Sequence, residues 1–397
     1  MKIAMVVDGL QVGGIERVAA DYAKLLLSLG HELTIINLNP SLIEMEKEFP
    51  DKCNIIHVKY PRKAAPEQYA QLIKRGYWGK IAYPVCFTIC SIINVGYRML
   101  LLCDKKLKNS YDLVIAFSGH FNDLTFVANN FVKTKNKMCW LHGALYGYLL
   151  ISDGFVNLYN KIKNLVVLVD DGQEEVLVTN KQLKLNINKL YNPTYIKNKV
   201  IDQSIVKGLV DKYGKFMVMV SRFEYPHKDH YTVIKALKIV REKYKKDISL
   251  VLVGSGPEEQ KIKNFVKQLG KDIEEHVFFE GTRNDVQNYY VAADLLVHAS
   301  VAGEGLPTIM LEAMAYDLPM VVTDSKVGPR EILGNDEYGL LCKVQDADDM
   351  ARQIHRLLID SALRQHYVEQ GKIRVKDFMP EVIAEELKKI INELVEK

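Results

Sequence analysis

Disulfide chemistry is the first thing this chain of 397 residues lacks. Its six cysteines (Cys53, Cys86, Cys90, Cys103, Cys139 and Cys342) form no CxxC pair and no disulfide-like framework, a usage that suits a reducing cytosol. Strong charge of one sign is missing too. The formal net charge is +4, no RNA-binding or helix-turn-helix motif stands out, and nothing in the composition calls for a nucleic-acid partner. The opening residues Lys2-Ile3-Ala4-Met5-Val6-Val7 read as strand rather than as a signal peptide, so the expected location is cytoplasmic. Short-period repeats and low-complexity segments are also missing.

What is present suits a globular protein of two ordinary domains, since 397 residues exceed one core of normal size. Apolar residues make up 48% and charged residues 26%, the balance of a soluble fold. Short β-branched runs alternate with amphipathic helical stretches, the pattern of parallel α/β sheets. Strand Ile3–Val7 leads through Asp8-Gly9-Leu10-Gln11-Val12-Gly13-Gly14 into a helix from about Ile15 to Leu29, capped by Gly30, and then strand Leu33–Ile36. A second series starts near Phe216–Val220 and continues through Leu250–Val253, Val277–Phe279, Leu295–Val297 and Met320–Val322. The join falls near Tyr191-Asn192-Pro193. A final helix from about Pro380 to Val395 carries one apolar face of Val382, Ile383, Leu387, Ile390, Ile391 and Leu394.

The most informative segment is Gly303-Glu304-Gly305-Leu306-Pro307, followed by the helix-forming run that contains Glu312. Pro307 is read as a first-turn helix residue, where its missing N–H costs nothing. One acid then stands in the loop before a helix N-terminus, and a second lies about two turns into that helix. Backbone N–H groups at such a terminus suit oxyanions, and two carboxylates can accept from hydroxyls on either side. In isolation E-x7-E would mean a solvated acid and a capping acid; the glycine–proline context shifts the reading towards a ligand with a sugar–diphosphate–ribose layout. The first glycine loop argues against a nicotinamide enzyme. Gly9 and Gly13-Gly14 have the wrong spacing, and the second strand ends in Asn37-Leu38-Asn39, without a ribose-binding acid.

This constellation resembles the retaining family 4 glycosyltransferases, of surface-polysaccharide type. The resemblance runs along nearly the whole chain and is weakest between about Ser41 and Lys108. It implies an α/β fold of two facing Rossmann-like domains (the GT-B architecture) with parallel sheets and a C-terminal helix returning to the N-terminal domain. The expected divisions are 1–194 as an acceptor-side domain, 195–377 as the nucleotide-sugar-binding domain, and 378–397 as the returning helix. The resemblance places Glu304 beside the donor sugar and Glu312 on the ribose hydroxyls. It puts Arg222 and Lys228, which follow strand Phe216–Val220, on the diphosphate. Their charge suits a leaving group that gains negative charge, without a metal. Gly13 and Gly14 match the family's N-terminal glycine loop. Gly254 belongs to Gly254-Ser255-Gly256-Pro257, and Gly305 and Leu306 to the acidic signature. Thr282 and Arg283 are expected to line the base pocket. His142, in Trp140-Leu141-His142-Gly143, is expected to contact the donor sugar; a lone histidine after an apolar strand is otherwise a satisfied structural residue. Arg222, Lys228, Glu304 and His142 are thus the catalytic candidates. No Asp-x-Asp stands in a donor-binding context, so neither a metal nor a cofactor is expected.

Ile81 to Tyr97 carries no formal charge, and Lys74, Arg75, Lys80, Arg98, Lys105, Lys106 and Lys108 border it. It is shorter than the ~20 apolar residues of a membrane span, and Pro84, Ser91 and Asn94 interrupt it. A buried helix is the leading reading; a face dipping into a membrane surface is the alternative. The function expected is transfer of a hexose-type sugar from a nucleotide-sugar donor, with UDP favoured by the family's habit, to a glycan or lipid-linked acceptor. Two other readings stand beside it: a sugar-nucleotide epimerase of the same architecture, which needs no acceptor, and a non-catalytic nucleotide-sugar-binding subunit.

Overall fold

The structure, a computed structural model, describes residues 1–104, 106–143, 145–170, 185–195, 200–326 and 328–396. The chain divides into two units, Met1–Pro193 with Pro380–Lys397, and Thr194–Met379. Lys105 lies outside the described residues.

The first unit is a seven-stranded sheet in the order β3-β2-β1-β4-β5-β6-β7, with every paired neighbour parallel. Its strands are β1 (Lys2–Val7), β2 (Glu32–Asn37), β3 (Asn54–His57), β4 (Ser110–Ala116), β5 (Lys133–Leu141), β6 (Asn164–Val167) and β7 (Asn186–Lys189). The central strands are continuous apolar runs, because helices cover both faces of a parallel sheet and leave no polar side. Ile3 to Val7 are all buried. Helix Gly14–Ser28 follows β1, one residue earlier at each end than its periodicity suggests, and turns out through Gly30 at φ +79°. Helix Pro380–Val395 packs in this unit against Gly14–Ser28, burying Ile383, Ala384, Leu387, Ile390, Ile391 and Leu394. Val382, assigned to that face by its spacing, points outward instead.

The second unit repeats the plan with six strands in the order β10-β9-β8-β11-β12-β13, again all parallel. They are β8 (Phe216–Val220), β9 (Ser249–Val253), β10 (Val277–Gly281), β11 (Leu295–His298), β12 (Met320–Thr323) and β13 (Leu340–Cys342). In both units the strand order reverses direction beside the first strand, between β1 and β4 and between β8 and β11. Open parallel sheets bind ligands at the carboxyl ends of the strands flanking such a reversal.

The leading expectation for Ile81–Tyr97 is not met. The segment belongs to a 27-residue helix, Tyr77–Cys103, of which only Gly79, Cys90, Asn94 and Leu101 are buried. The inward face is narrow and partly polar: Asn94 donates to the carbonyls of Ala64 (2.6 Å) and Cys90 (2.9 Å) and accepts from the Tyr60 hydroxyl (2.6 Å). Pro84 does not end the helix. Pro84 is the eighth residue of the helix, exposed, and removes one backbone N–H donor there.

Candidate functional site

In the second unit, two side chains converge on one carboxylate oxygen of a third at the reversal between β8 and β11. Lys228 Nζ lies 2.7 Å from Glu304 Oε1, His298 Nε2 lies 2.9 Å from the same oxygen, and the two nitrogens are 3.4 Å apart. Lys228 comes from the loop after β8, His298 ends β11, and Glu304 stands six residues further on. The loops are tied by the main chain. Asp229 N donates to the Ala299 carbonyl (2.8 Å), and Val301 N and Ala302 N both donate to the Pro226 carbonyl. Asp229 also caps helix His230–Glu242 through Thr232, which fixes where the loop carrying Lys228 ends.

The electrostatics follow from burial. The Glu304 side chain is 11% exposed and that of Lys228 22%. Burial opposes a charge on Glu304, but the neighbouring His298 and Lys228 outweigh it and hold the carboxyl well below its ordinary range. His298 is fully buried, which drives its own pKa down and keeps the ring neutral. A neutral ring touching an ionised carboxylate must carry its proton on Nε2 and donate it. Its Nδ1 is buried and makes no hydrogen bond among the described residues. A carboxylate so strongly held in its charged form is a weak base, suited to accept hydrogen bonds rather than to take a proton.

The loop around Glu304 is held by close backbone approaches. A Cβ on Gly303 would lie 2.2 Å from the Lys326 carbonyl oxygen, and Gly328 N donates to the Glu304 carbonyl at 2.9 Å. Gly328 in turn packs on the Gly305 carbonyl, and Leu306 is buried. Pro307 precedes the helix Thr308–Ala315 as its cap residue rather than sitting in its first turn, with ψ 105° outside helical range. Glu312 points from that helix to Tyr290, whose hydroxyl donates to it at 3.0 Å.

The remaining candidates sit on neighbouring strand ends. Arg222 follows β8, with a largely exposed side chain whose guanidinium lies 3.4 Å from Glu224; it does not join the group around Glu304. Gly254 follows β9 at φ +137°, and a Cβ there would meet the Ser221 carbonyl oxygen at 2.0 Å, so only glycine lets the loops after β8 and β9 lie together. Thr282, after β10, shares a hydrogen bond with Ser255 (2.8 Å). Arg283 turns back on Asp285 with two bonds of 2.9 and 3.0 Å.

A separate cluster occupies the corresponding edge of the first unit. Gly13 caps helix Gly14–Ser28 in an extended conformation, and Gly14 opens it. His142, just beyond β5, donates from Nε2 to the Phe117 carbonyl at 2.6 Å, and burial lowers its pKa to about 4, so Nδ1 of the neutral ring is left as an acceptor. Sequence reasoning gave no role to Asp8 or His120. The structure pairs them at 3.4 Å, adds an Asn122 bond to Asp8 (2.8 Å), and raises the His120 pKa through that carboxylate. Fully buried Asp123 accepts from the backbone of Gly119 and His120. His298 was also missed. The signal available for Asp8, His120 and His298 was position alone: each stands at or just past the carboxyl end of a strand beside a reversal.

Comparison with known proteins bears on both units. Residues 200–374 match the family described as Glycosyl transferases group 1. Over 95% of its length the chain is 27% identical to 95% of the N-acetylgalactosamine-N,N'-diacetylbacillosaminyl-diphospho-undecaprenol 4-alpha-N-acetylgalactosaminyltransferase of Campylobacter jejuni. It is 26% identical, over 96% of both chains, to an uncharacterized glycosyltransferase of Haemophilus influenzae. Among solved structures, Anabaena HepE in complex with UDP-glucose superposes with a TM-score of 0.73, covering 99% of this chain and 100% of that one at 18% identity.

Proposed function

The chain is a glycosyltransferase of the group 1 type with GT-B architecture, and from that premise we propose that it moves a hexose-type sugar from a UDP-sugar to a lipid-linked glycan acceptor in surface polysaccharide synthesis. The proposed reaction keeps the anomeric configuration of the donor and needs no metal. It takes place at the cytoplasmic face of a membrane.

One observation carries the reading: Glu304 is kept ionised by Lys228 and His298 at the sheet reversal of the second unit, close to the start of the helix bearing Glu312. Sugar hydroxyls would donate to the Glu304 carboxylate, and ribose hydroxyls to Glu312. When the bond between the anomeric carbon and the diphosphate oxygen breaks, the leaving group gains negative charge. Lys228 and Arg222, both following β8, supply fixed positive charge for it. The C. jejuni relative is named for an undecaprenol-linked acceptor, and the Anabaena neighbour holds UDP-glucose; these support the acceptor class and the nucleotide. Asp8 and His120, with His142 nearby in the same unit, offer a hydroxyl-binding edge suited to an acceptor sugar.

A thermal-shift screen against nucleotide sugars tests the donor assignment, because a ligand that binds only the folded state stabilises it by mass action. UDP-sugars should raise the melting temperature more than GDP- or ADP-sugars. No shift with any nucleotide sugar would remove the proposal. Transfer to an undecaprenol-linked glycan then separates a transferase from an epimerase, which would convert the donor with no acceptor present.

A further inference from the structure

The outward face of helix Tyr77–Cys103 has the wrong polarity for water. Trp78 (79% exposed), Ile81, Val85, Ile89, Ile92 (66% exposed), Val95 and Met99 recur at helical spacing along it. The helix contains only two charged residues, Lys80 and Arg98, and no acid. Surface helices of water-soluble units are normally patterned the other way, and a continuous apolar stripe of this size marks a contact surface.

Charge identifies the occupant. Between Lys74 and Lys108 the only acid is Asp104, against Lys74, Arg75, Lys80, Arg98, Lys106 and Lys108 among the described residues. Along the inner edge of the helix a groove lined by Phe87, Ser91, Val95, Arg98, Phe131 and Lys161 combines apolar walls with two cations, of which Lys161 is paired with buried Glu67 at 3.0 Å. Arg98 Nε is buried there without a hydrogen bond among the described residues, and Lys137 has its pKa lowered by burial and by the nearby positive charges of Arg98 and Lys161. An apolar stripe bordered by one sign of charge fits an anionic membrane, where acyl chains meet phosphate headgroups.

At 27 residues the helix is long enough to cross a bilayer, so its packing decides how it meets one. Asn94 holds two hydrogen bonds to segments outside the helix, with Tyr60 and Ala64, and Tyr97 donates to the Lys59 carbonyl at 2.6 Å. Crossing would strip these bonds and expose the side packed on Tyr60 and Ala64. We propose that the first unit docks on an anionic membrane with helix Tyr77–Cys103 lying in the plane of the interface, its outward stripe among the acyl chains and a headgroup phosphate in the groove beside Arg98. This deepens the membrane-side location proposed above. Vesicle binding requires neither donor nor acceptor, so its failure would leave the transferase reading standing.

The chain's two tryptophans supply the test: Trp78 is exposed on the stripe, whereas Trp140 is buried. With Trp78→Phe as background, Val85→Trp, Ile92→Trp and Met99→Trp each place a reporter along the helix. The full chain is mixed with vesicles of phosphatidylglycerol and phosphatidylcholine, and with phosphatidylcholine alone, carrying bromine at graded depths. In-plane docking predicts blue-shifted emission and the same shallow depth at all three positions. It also predicts binding weakened roughly tenfold or more by Ile92→Glu, which puts a charge among acyl chains. Arg98→Gln should weaken binding to anionic vesicles only. A depth maximal at position 92 would mean a spanning helix and overturn the proposal. So would equal binding to neutral vesicles, or no binding together with a doubled mass in solution, which would assign the stripe to a second copy of this chain.

Discussion

Lys228→Met tests the group around Glu304 most sharply, because it removes a charge while keeping an apolar stem of similar length. In the parent protein Glu304 Oε1 accepts from Lys228 at 2.7 Å and from His298 at 2.9 Å. Without Lys228 a carboxylate that is 11% exposed keeps one neutral donor. Removing one partner of a fully buried ion pair costs about 3–5 kcal/mol. The exposed fraction of Lys228 moves the expectation to the lower end, about 2–3 kcal/mol. Glu304→Gln should cost less, since the partly exposed ammonium can turn to water and His298 can still donate to the amide oxygen. The double variant, in which no charge is left unpaired, should then cost little more than Glu304→Gln alone, giving a coupling of about 2 kcal/mol in the double-mutant cycle. Both tryptophans lie in the first unit, so intrinsic fluorescence does not follow this loss. Amide hydrogen exchange of β8 and β11 does, since it reads local opening free energies. If the two single effects simply add, Lys228 and Glu304 are not coupled and the electrostatic account of the site fails.

Three further outcomes follow from the same structure. His298→Phe should lower turnover with little change in nucleotide affinity, because the polar partners of the His298 side chain among the described residues are Glu304 and Lys228, and Gln at that position, which can still donate, should restore part of the rate; equal losses in kcat and affinity would argue for a structural role alone. Buried His230, held neutral with its pKa lowered from 6.5 to about 3 by burial, should weaken folding as pH falls below 6.5, because the unfolded chain takes up the proton first. The stability difference between the parent and His230→Gln should therefore change by about 1.4 kcal/mol per pH unit between pH 6 and 4, and a pH-independent difference would refute the assignment. Sugar transfer should survive a chelator, since Arg222 and Lys228 supply the positive charge; loss of activity in EDTA that magnesium restores would contradict the metal-free reading.

The fold was legible because its signals are local and repeated. β1, β8, β9 and β12 are short apolar runs bounded by turn residues, and Gly30 closes the first helix as its conformation requires. Lys228, Glu304 and Glu312 were legible as candidates from strand ends and a glycine–proline context. Their contacts were not: the convergence on Glu304 depends on the strand order that puts β8 beside β11, which no linear spacing encodes. His298 reads as one more residue of a buried strand until that pairing is known, and Asp8 and His120, 112 residues apart, meet only because β1 pairs with β4. The helix Tyr77–Cys103 was misjudged for a related reason. Composition shows that a segment is apolar but not which side of it the protein covers, and here the covered side is the narrow one built on Asn94.

Calorimetry of UDP binding in the presence of EDTA, comparing the parent with Glu312→Ala, tests the donor-site claim most directly. Glu312 already accepts a hydrogen bond from the Tyr290 hydroxyl at 3.0 Å, showing the carboxylate to be placed for such bonds. The account predicts that the parent binds UDP without metal, and that Glu312→Ala weakens binding by about 1–3 kcal/mol through the lost bonds to the ribose. Undetectable binding by the parent, or the same affinity in both proteins, would contradict it.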